Sequence, residues 1–303
     1  MTSPIAASAP RPRRSLIFAP GLKPEMFAKA LGAGADIVCV DIEDAVAPAY
    51  KAEARAKTLT LFAERPETGT VEAIVRINPM STADGLRDVL AVVEAKDPPP
   101  SLMMTKVRTA DEVRQLDGLL GDAQPHIRLQ VIIETNEGLE NAYAIAQSSS
   151  RVDALLFGGY DMAAELRVEP LWDPLLYARA RVAHAAAGAG LDLLDAPNLD
   201  LEDMDGLGVG ARNARAIGFT GKAAIHPKQI PVINETFSPS ADDVAAARRI
   251  VEAFETEGGT GLLVVDGKLV EAPVLRAMQR TLKIAERVAV ADRAGALQAE
   301  RNR

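Results

Sequence analysis

The sequence predicts a (β/α)8 TIM barrel with a C-terminal helical and hairpin extension, and three observations carry that reading. Strand-like apolar runs recur eight times, separated by stretches with helical patterning. Several runs are continuously apolar, as parallel strands covered on both faces are. The units occupy roughly 230 residues, the size of a barrel rather than of an open doubly wound sheet. A dinucleotide-binding sheet would want G-x-G-x-x-G after its first strand, and "PGLKPE" stands there instead.

The strands are expected at "SLIFAP" (15–20), "DIVCVD" (36–41), "EAIVRIN" (72–78), "SLMMTKV" (101–107), "LQVIIET" (129–135), "DALLFGG" (153–159), "LDLLDAP" (191–197) and "KAAIHP" (222–227). Helices are expected over 24–33, 48–63, 83–94, 109–120, 136–147, 173–189 and 203–217. Ahead of them, residues 1–12 read as a disordered tail, because "MTSPIAASAPRPRR" lacks the apolar core of a secretory signal. The barrel is assigned to 13–235 and the extension to 236–303. In the extension Ser240 is a plausible N-cap, followed by Asp242 and Asp243 in the first helical turn. Two short apolar runs around "DGK" then signal a hairpin, and a helix follows from Pro273. Such an extension serves as a buttress, a lid or a subunit contact.

Composition narrows the function classes. The chain has 303 residues, 48% hydrophobic and 25% charged, with a formal net charge of −8. An acidic balance argues against a nucleic-acid-binding face, and no apolar run approaches the roughly 20 residues of a membrane span. The single cysteine, Cys39, sits in an apolar run as a small core residue; without an internal disulfide the chain fits a reducing cytoplasm.

Barrel enzymes assemble their sites from the C-terminal ends of strands. The polar residues expected there are Asp41, Glu43, Asp44, Arg76, Asn78, Lys106, Glu134, Asp161, Asp195 and His226. Glu134 and Asp161 come from neighbouring strands. Two carboxylates without thiolates or clustered histidines suit Mg²⁺, although bonds to loop amides or to Arg76 would explain them equally. Gly158 and Gly159 in "GGYD" let backbone amides approach a small carboxylate. Arg76, in an apolar strand, needs an anion: Asp41 or Glu43 as support, or a substrate carboxylate or carbonyl. Lys106 is an amine able to form a Schiff base, but the surrounding acids favour an ion pair. His184 and His126 read as packing and loop residues, and no serine is placed as a nucleophile.

These residues lie in segments that together resemble a known family. "RSLIFAPGLKPEMFAKALGAGADIVCVDIEDAVAPAYKAEAR", "VRINP", "IIETNEGLENAYAIA", "LLFGGYDMAAEL", "GFTGKAAIHPKQI" and "VDGKLVEAPVL" resemble the citrate lyase β-subunit-like (CitE-like) family. That group includes malyl-CoA and citramalyl-CoA lyases within the HpcH/HpaI aldolase superfamily, and the resemblance runs from about residue 13 to 290.

The resemblance implies Glu134 and Asp161 as Mg²⁺ ligands and Arg76 as the clamp on a substrate carbonyl or carboxylate. It implies that amides around Gly159, Tyr160 and Asp161 receive a carboxylate, with Glu43 and Asp44 organising metal-bound water. Arg14 and Lys23, with the loop holding His226, resemble the region that receives coenzyme A. The implied reaction is reversible Claisen-type cleavage of a 3-hydroxyacyl-CoA such as malyl-, citramalyl- or citryl-CoA to an acyl-CoA and a 2-oxo acid. Proton transfer falls to Glu271, where relatives carry Asp in a "DGKMVDxP"-like motif; Asp266 is the lesser substitute. Thr105 stands where relatives often have Pro. The family also implies a homo-oligomer, trimer or hexamer. Two other readings stand beside it: a CoA-independent hydroxy-oxo-acid aldolase, which would share the metal pair, and a citrate lyase β subunit acting on a carrier-bound thioester within a complex.

Overall fold

The computed structural model describes residues 12–256, 263–265 and 268–301. Eight strands form a closed parallel barrel in chain order: β1 (Ser15–Pro20), β2 (Ile37–Asp41), β3 (Glu72–Arg76), β4 (Ser101–Met104), β5 (Arg128–Ile133), β6 (Val152–Phe157), β7 (Asp192–Asp195) and β8 (Gly221–Ala224). β8 closes onto β1 with Ser15 beside Lys222 and Ile17 beside Ala224. Side chains alternate between the two faces of a strand. Leu16, Ile37, Cys39, Ile74, Met103, Ile132, Leu156, Leu194 and Ala223 fill the lumen. Their neighbours, such as Val38, Val75, Val131 and Phe157, pack outward with the helices.

The helices begin where local chemistry starts them. Thr109 and Glu112 form a reciprocal capping box at Ala110–Leu120. Thr82, Thr135 and Asp203 each accept a backbone N–H of the helix they precede. Two departures from the sequence reading matter. The segment 136–147 is two short helices, Asn136–Glu140 and Ala142–Ala146, meeting at Asn141. A helix not anticipated, Gly159–Leu166, starts directly from the paired glycines after β6.

The floor of the barrel, at the N-terminal ends of the strands, is closed by charge. Arg13 donates to both carboxylate oxygens of Glu72 (2.7 and 3.1 Å), to Asp153 through its carboxylate (2.7 Å) and carbonyl (3.0 Å), and to Asp192 (3.3 Å). Gln130 adds a hydrogen bond to Glu72, and Arg128 one to Asp153.

The chain divides into two compact units, one running from Arg13 to Phe237 and a C-terminal one beginning at Ser238. In the second, Ser240 and Asp243 exchange hydrogen bonds at the start of the helix Ala241–Thr256. Strands β9 (Leu263–Val265) and β10 (Lys268–Val270) pair antiparallel, and the helix Ala272–Arg301 follows. Asp266 lies outside the described residues. Among the described residues no helix is long and apolar enough to cross a membrane.

Candidate active site at the barrel mouth

The alternation that fills the lumen also points polar residues into its mouth. Two positions beyond Cys39, Ile74, Ile132 and Leu156 stand Asp41, Arg76, Glu134 and Gly158. Arg76 lies beside Asp41 in register and donates to it twice, from Nε at 2.9 Å and from Nη2 at 2.5 Å. Its Nη1 is 3.4 Å from Glu43, and its guanidinium lies 4.8 Å from the centroid of the Phe18 ring. Burial works against its charge, but the Asp41 and Glu43 carboxylates more than offset this and hold it firmly protonated. Asp41 also accepts from the amides of Glu43 and Ala45, so it fixes the turn that carries Glu43.

Lys106 joins the two sides of the mouth. Its ammonium donates to Glu43 at 2.8 Å and Asp44 at 3.3 Å, while its backbone N–H donates to Glu134 Oε1 at 2.7 Å. Burial pushes Glu43 upward against Arg76 and Lys106, and Asp44 is drawn down because hydrogen bonding to Glu43 and the Lys106 charge outweigh its partial burial. The surrounding acids raise the Lys106 ammonium pKa despite its desolvation. It is an ion-pair lysine, unlike the neutral amine a Schiff base needs.

Glu134 follows β5 and is 4% exposed. Burial, then the Asp161 carboxylate, push it up to about 8. A Cβ at Gly158 would stand 2.5 Å from Glu134 Oε2 and 2.5 Å from its Cβ, so glycine is what leaves the carboxylate its space. Gly159, buried between Ala196 and the Phe157 ring, opens the next helix, with Asp161 half-buried in its first turn. Tyr160 is exposed, and its hydroxyl accepts from the Leu199 amide at 3.4 Å. Lys23 and His226 lie exposed past the ends of the adjacent strands β1 and β8, and His226 Nδ1 accepts from the Lys228 amide.

Two expected mouth residues are elsewhere. Arg14 precedes β1, so it sits at the floor, buried, with its guanidinium paired to Asp36 at 2.9 Å through Nε and Nη2. It does not reach a ligand at the mouth. Asp195 falls on the outward parity next to the luminal Leu194; Lys222 (2.7 Å) and Arg179 (3.0 Å) hold it behind the barrel wall. Asn78 is buried on Ile42 and Asp88 as a structural amide. Glu271 is exposed in the C-terminal unit, between β10 and the last helix.

What sequence reasoning missed is the backbone of Lys106 as a partner of Glu134, and the helix that carries Asp161. A signal for the second was present: Asp161 falls in the first turn of "GGYDMAAEL", where acids favour helix starts.

The HpcH/HpaI aldolase/citrate lyase family matches over residues 14–227. The chain belongs to this family. Within it, the L-malyl-CoA/beta-methylmalyl-CoA lyase of Cereibacter sphaeroides is 33% identical over 92% of this chain and 96% of its own. The mitochondrial citramalyl-CoA lyase of Rattus norvegicus is 32% identical over 90% of this chain and 86% of its own. Among solved structures, CitE from Mycobacterium tuberculosis in complex with magnesium, acetoacetate and coenzyme A superposes with a TM-score of 0.73. It is 32% identical and covers 92% of this chain and 99% of that one.

Proposed function

We propose that this family member is a Mg²⁺-dependent carbon–carbon lyase that reversibly cleaves a 3-hydroxyacyl-CoA thioester to an acyl-CoA and a 2-oxo acid. The observation that carries the reading is Glu134: a buried carboxyl beside Asp161, in a space kept open by Gly158. A buried acid next to another acid calls for a cation. Among the described residues no three His, Cys, Asp or Glu are placed together to hold a metal. A two-carboxylate, all-oxygen donor set fits Mg²⁺, which keeps several waters and takes substrate oxygens.

Glu134 and Asp161 would hold the ion, which when bound supplies Lewis-acid stabilisation to the oxo-acid oxygen. Arg76, anchored on Asp41 by two of its five N–H groups, presents remaining ones to the same substrate end. The first amides of the helix at Gly159 receive the carboxylate, as unpaired N–H groups at helix starts do. Glu43 and Asp44 order water around the site. In cleavage the hydroxyl proton passes to water, the bond between the carbinol carbon and the α-carbon of the acyl thioester breaks, and its electron pair passes to that α-carbon as the thioester enolate. That carbon then takes a proton, the step assigned to Glu271. Lys23 and His226 receive the coenzyme A moiety. The enzyme is read as a cytoplasmic homo-oligomer, and the buried free thiol of Cys39 suits a reducing compartment.

The test is acyl-CoA release from malyl-, citramalyl-, methylmalyl- and citryl-CoA, with and without Mg²⁺, in the wild type and Glu271→Ala. Metal-dependent cleavage of one ester, lost in the variant, is expected. A chain that cleaves none of them while still binding Mg²⁺ sinks the CoA reading and leaves an aldolase or a carrier-dependent subunit.

A further inference from the structure

Three non-glycine residues among those described have a left-handed backbone: Arg65 (φ 51°), Lys106 (φ 52°) and Arg167 (φ 59°). Arg167 caps the helix Gly159–Leu166, and Arg65 stands two residues past the helix Lys51–Ala63. Both are ordinary helix stops. Lys106 is neither; it follows strand β4 by two residues. A left-handed bulky residue with no capping duty is held there by its surroundings, and such strain gathers at functional sites.

The conformation makes one residue touch both sides of the mouth. The N–H points to Glu134 Oε1 at 2.7 Å, and the ammonium reaches Glu43 Oε1 at 2.8 Å and Asp44 Oδ1 at 3.3 Å. Asp161 also acts on that ammonium electrostatically. Resting on the metal reading above, we propose that Lys106 is a positioning residue and the resident counter-cation of the mouth. Its backbone aims Glu134, while its side chain holds Glu43 and Asp44 in place and opposes the charge of an arriving metal ion.

The two halves of this role separate by mutation. Lys106→Met removes the charge and keeps much of the bulk. Lys106→Gly removes the charge and also adopts φ 52° without strain. Lys106→Arg keeps the charge. The probe is MgCl₂ alone, titrated calorimetrically into the full chain, alongside thermal melts in EDTA. Taking one positive charge from a partly buried acidic site should tighten Mg²⁺ binding about tenfold in Lys106→Met and Lys106→Gly. In EDTA, Lys106→Met should melt below the wild type, with Lys106→Gly recovering part of the loss. Lys106→Arg should stay within about threefold of wild-type affinity, since its charge is retained. Turnover should fall in Lys106→Met while the metal binds more tightly, a combination that a merely structural residue does not produce. If the methionine variant does not fold, the glycine variant carries the test. Unchanged or weakened Mg²⁺ binding in the uncharged variants overturns the proposal alone. A wild type that takes up no Mg²⁺ overturns the metal reading and this proposal with it.

Discussion

The floor and the mouth of this barrel are both built around an arginine among acids, yet they are opposite designs. At the floor all five N–H groups of Arg13 have acceptors, spread over Glu72, Asp153 and Asp192. At the mouth Arg76 is anchored by Asp41, and both terminal nitrogens keep N–H groups without a hydrogen-bond acceptor among the described residues. Charge balance differs in the same way. Arg13 and Arg128 answer three acids, whereas Arg76 and Lys106 answer Asp41, Glu43, Asp44, Glu134 and Asp161. A saturated network holds a fold together. An unsaturated one of the same residue types leaves donors over, as the proposed function requires.

The comparison breaks most visibly through its central residues. Arg13→Met should cost about 3–5 kcal/mol in denaturant unfolding, because buried acids lose their partner, while leaving Mg²⁺ affinity untouched. Glu134→Gln should do the reverse: calorimetric Mg²⁺ binding disappears, with stability in EDTA unchanged or improved. A weakened but persistent Mg²⁺ isotherm in that variant would move the site away from Glu134. Gly158→Ala is a finer probe, since the new methyl crowds Glu134 without altering any charge. Mg²⁺ affinity should fall about tenfold or more, as displacing a ligand's support does.

A further effect is on pH. A carboxyl raised in the folded state stabilises fully below its unfolded range and loses that contribution as pH rises through its folded value. For Glu134 the loss therefore accrues between the ordinary carboxylate range and about 8. In EDTA the wild type should melt lower at pH 9 than at pH 6, and either Mg²⁺ or Glu134→Gln should remove Glu134's contribution to that difference.

The barrel was legible because parallel strands buried on both faces announce themselves as apolar runs. Eight such runs leave few alternatives to closure. Asp41, Arg76 and Glu134 were legible because each ends such a run on the luminal parity. Asp195 was misplaced because parity within the short strand β7 is settled only by pairing, and Leu194 takes the lumen. Arg14 was misplaced because its nearness to "SLIFAP" says nothing about which end of the strand it serves; a residue preceding a barrel strand lies at the floor. The helix at Gly159 was hidden by glycines, which read as turn. The left-handed turn at Lys106 has no residue-type signal at all.

The floor has a further consequence, in the order of assembly. Arg13 stands at the start of the barrel, and its acceptors lie 59, 140 and 179 residues further along. No local segment can satisfy it. The network is complete only once β3, β6 and β7 have gathered around the first strand, so the floor is sealed by contacts far apart in the chain. Contacts at such separations slow the folding search. Until those strands meet, Arg13 lacks part of its set of acceptors.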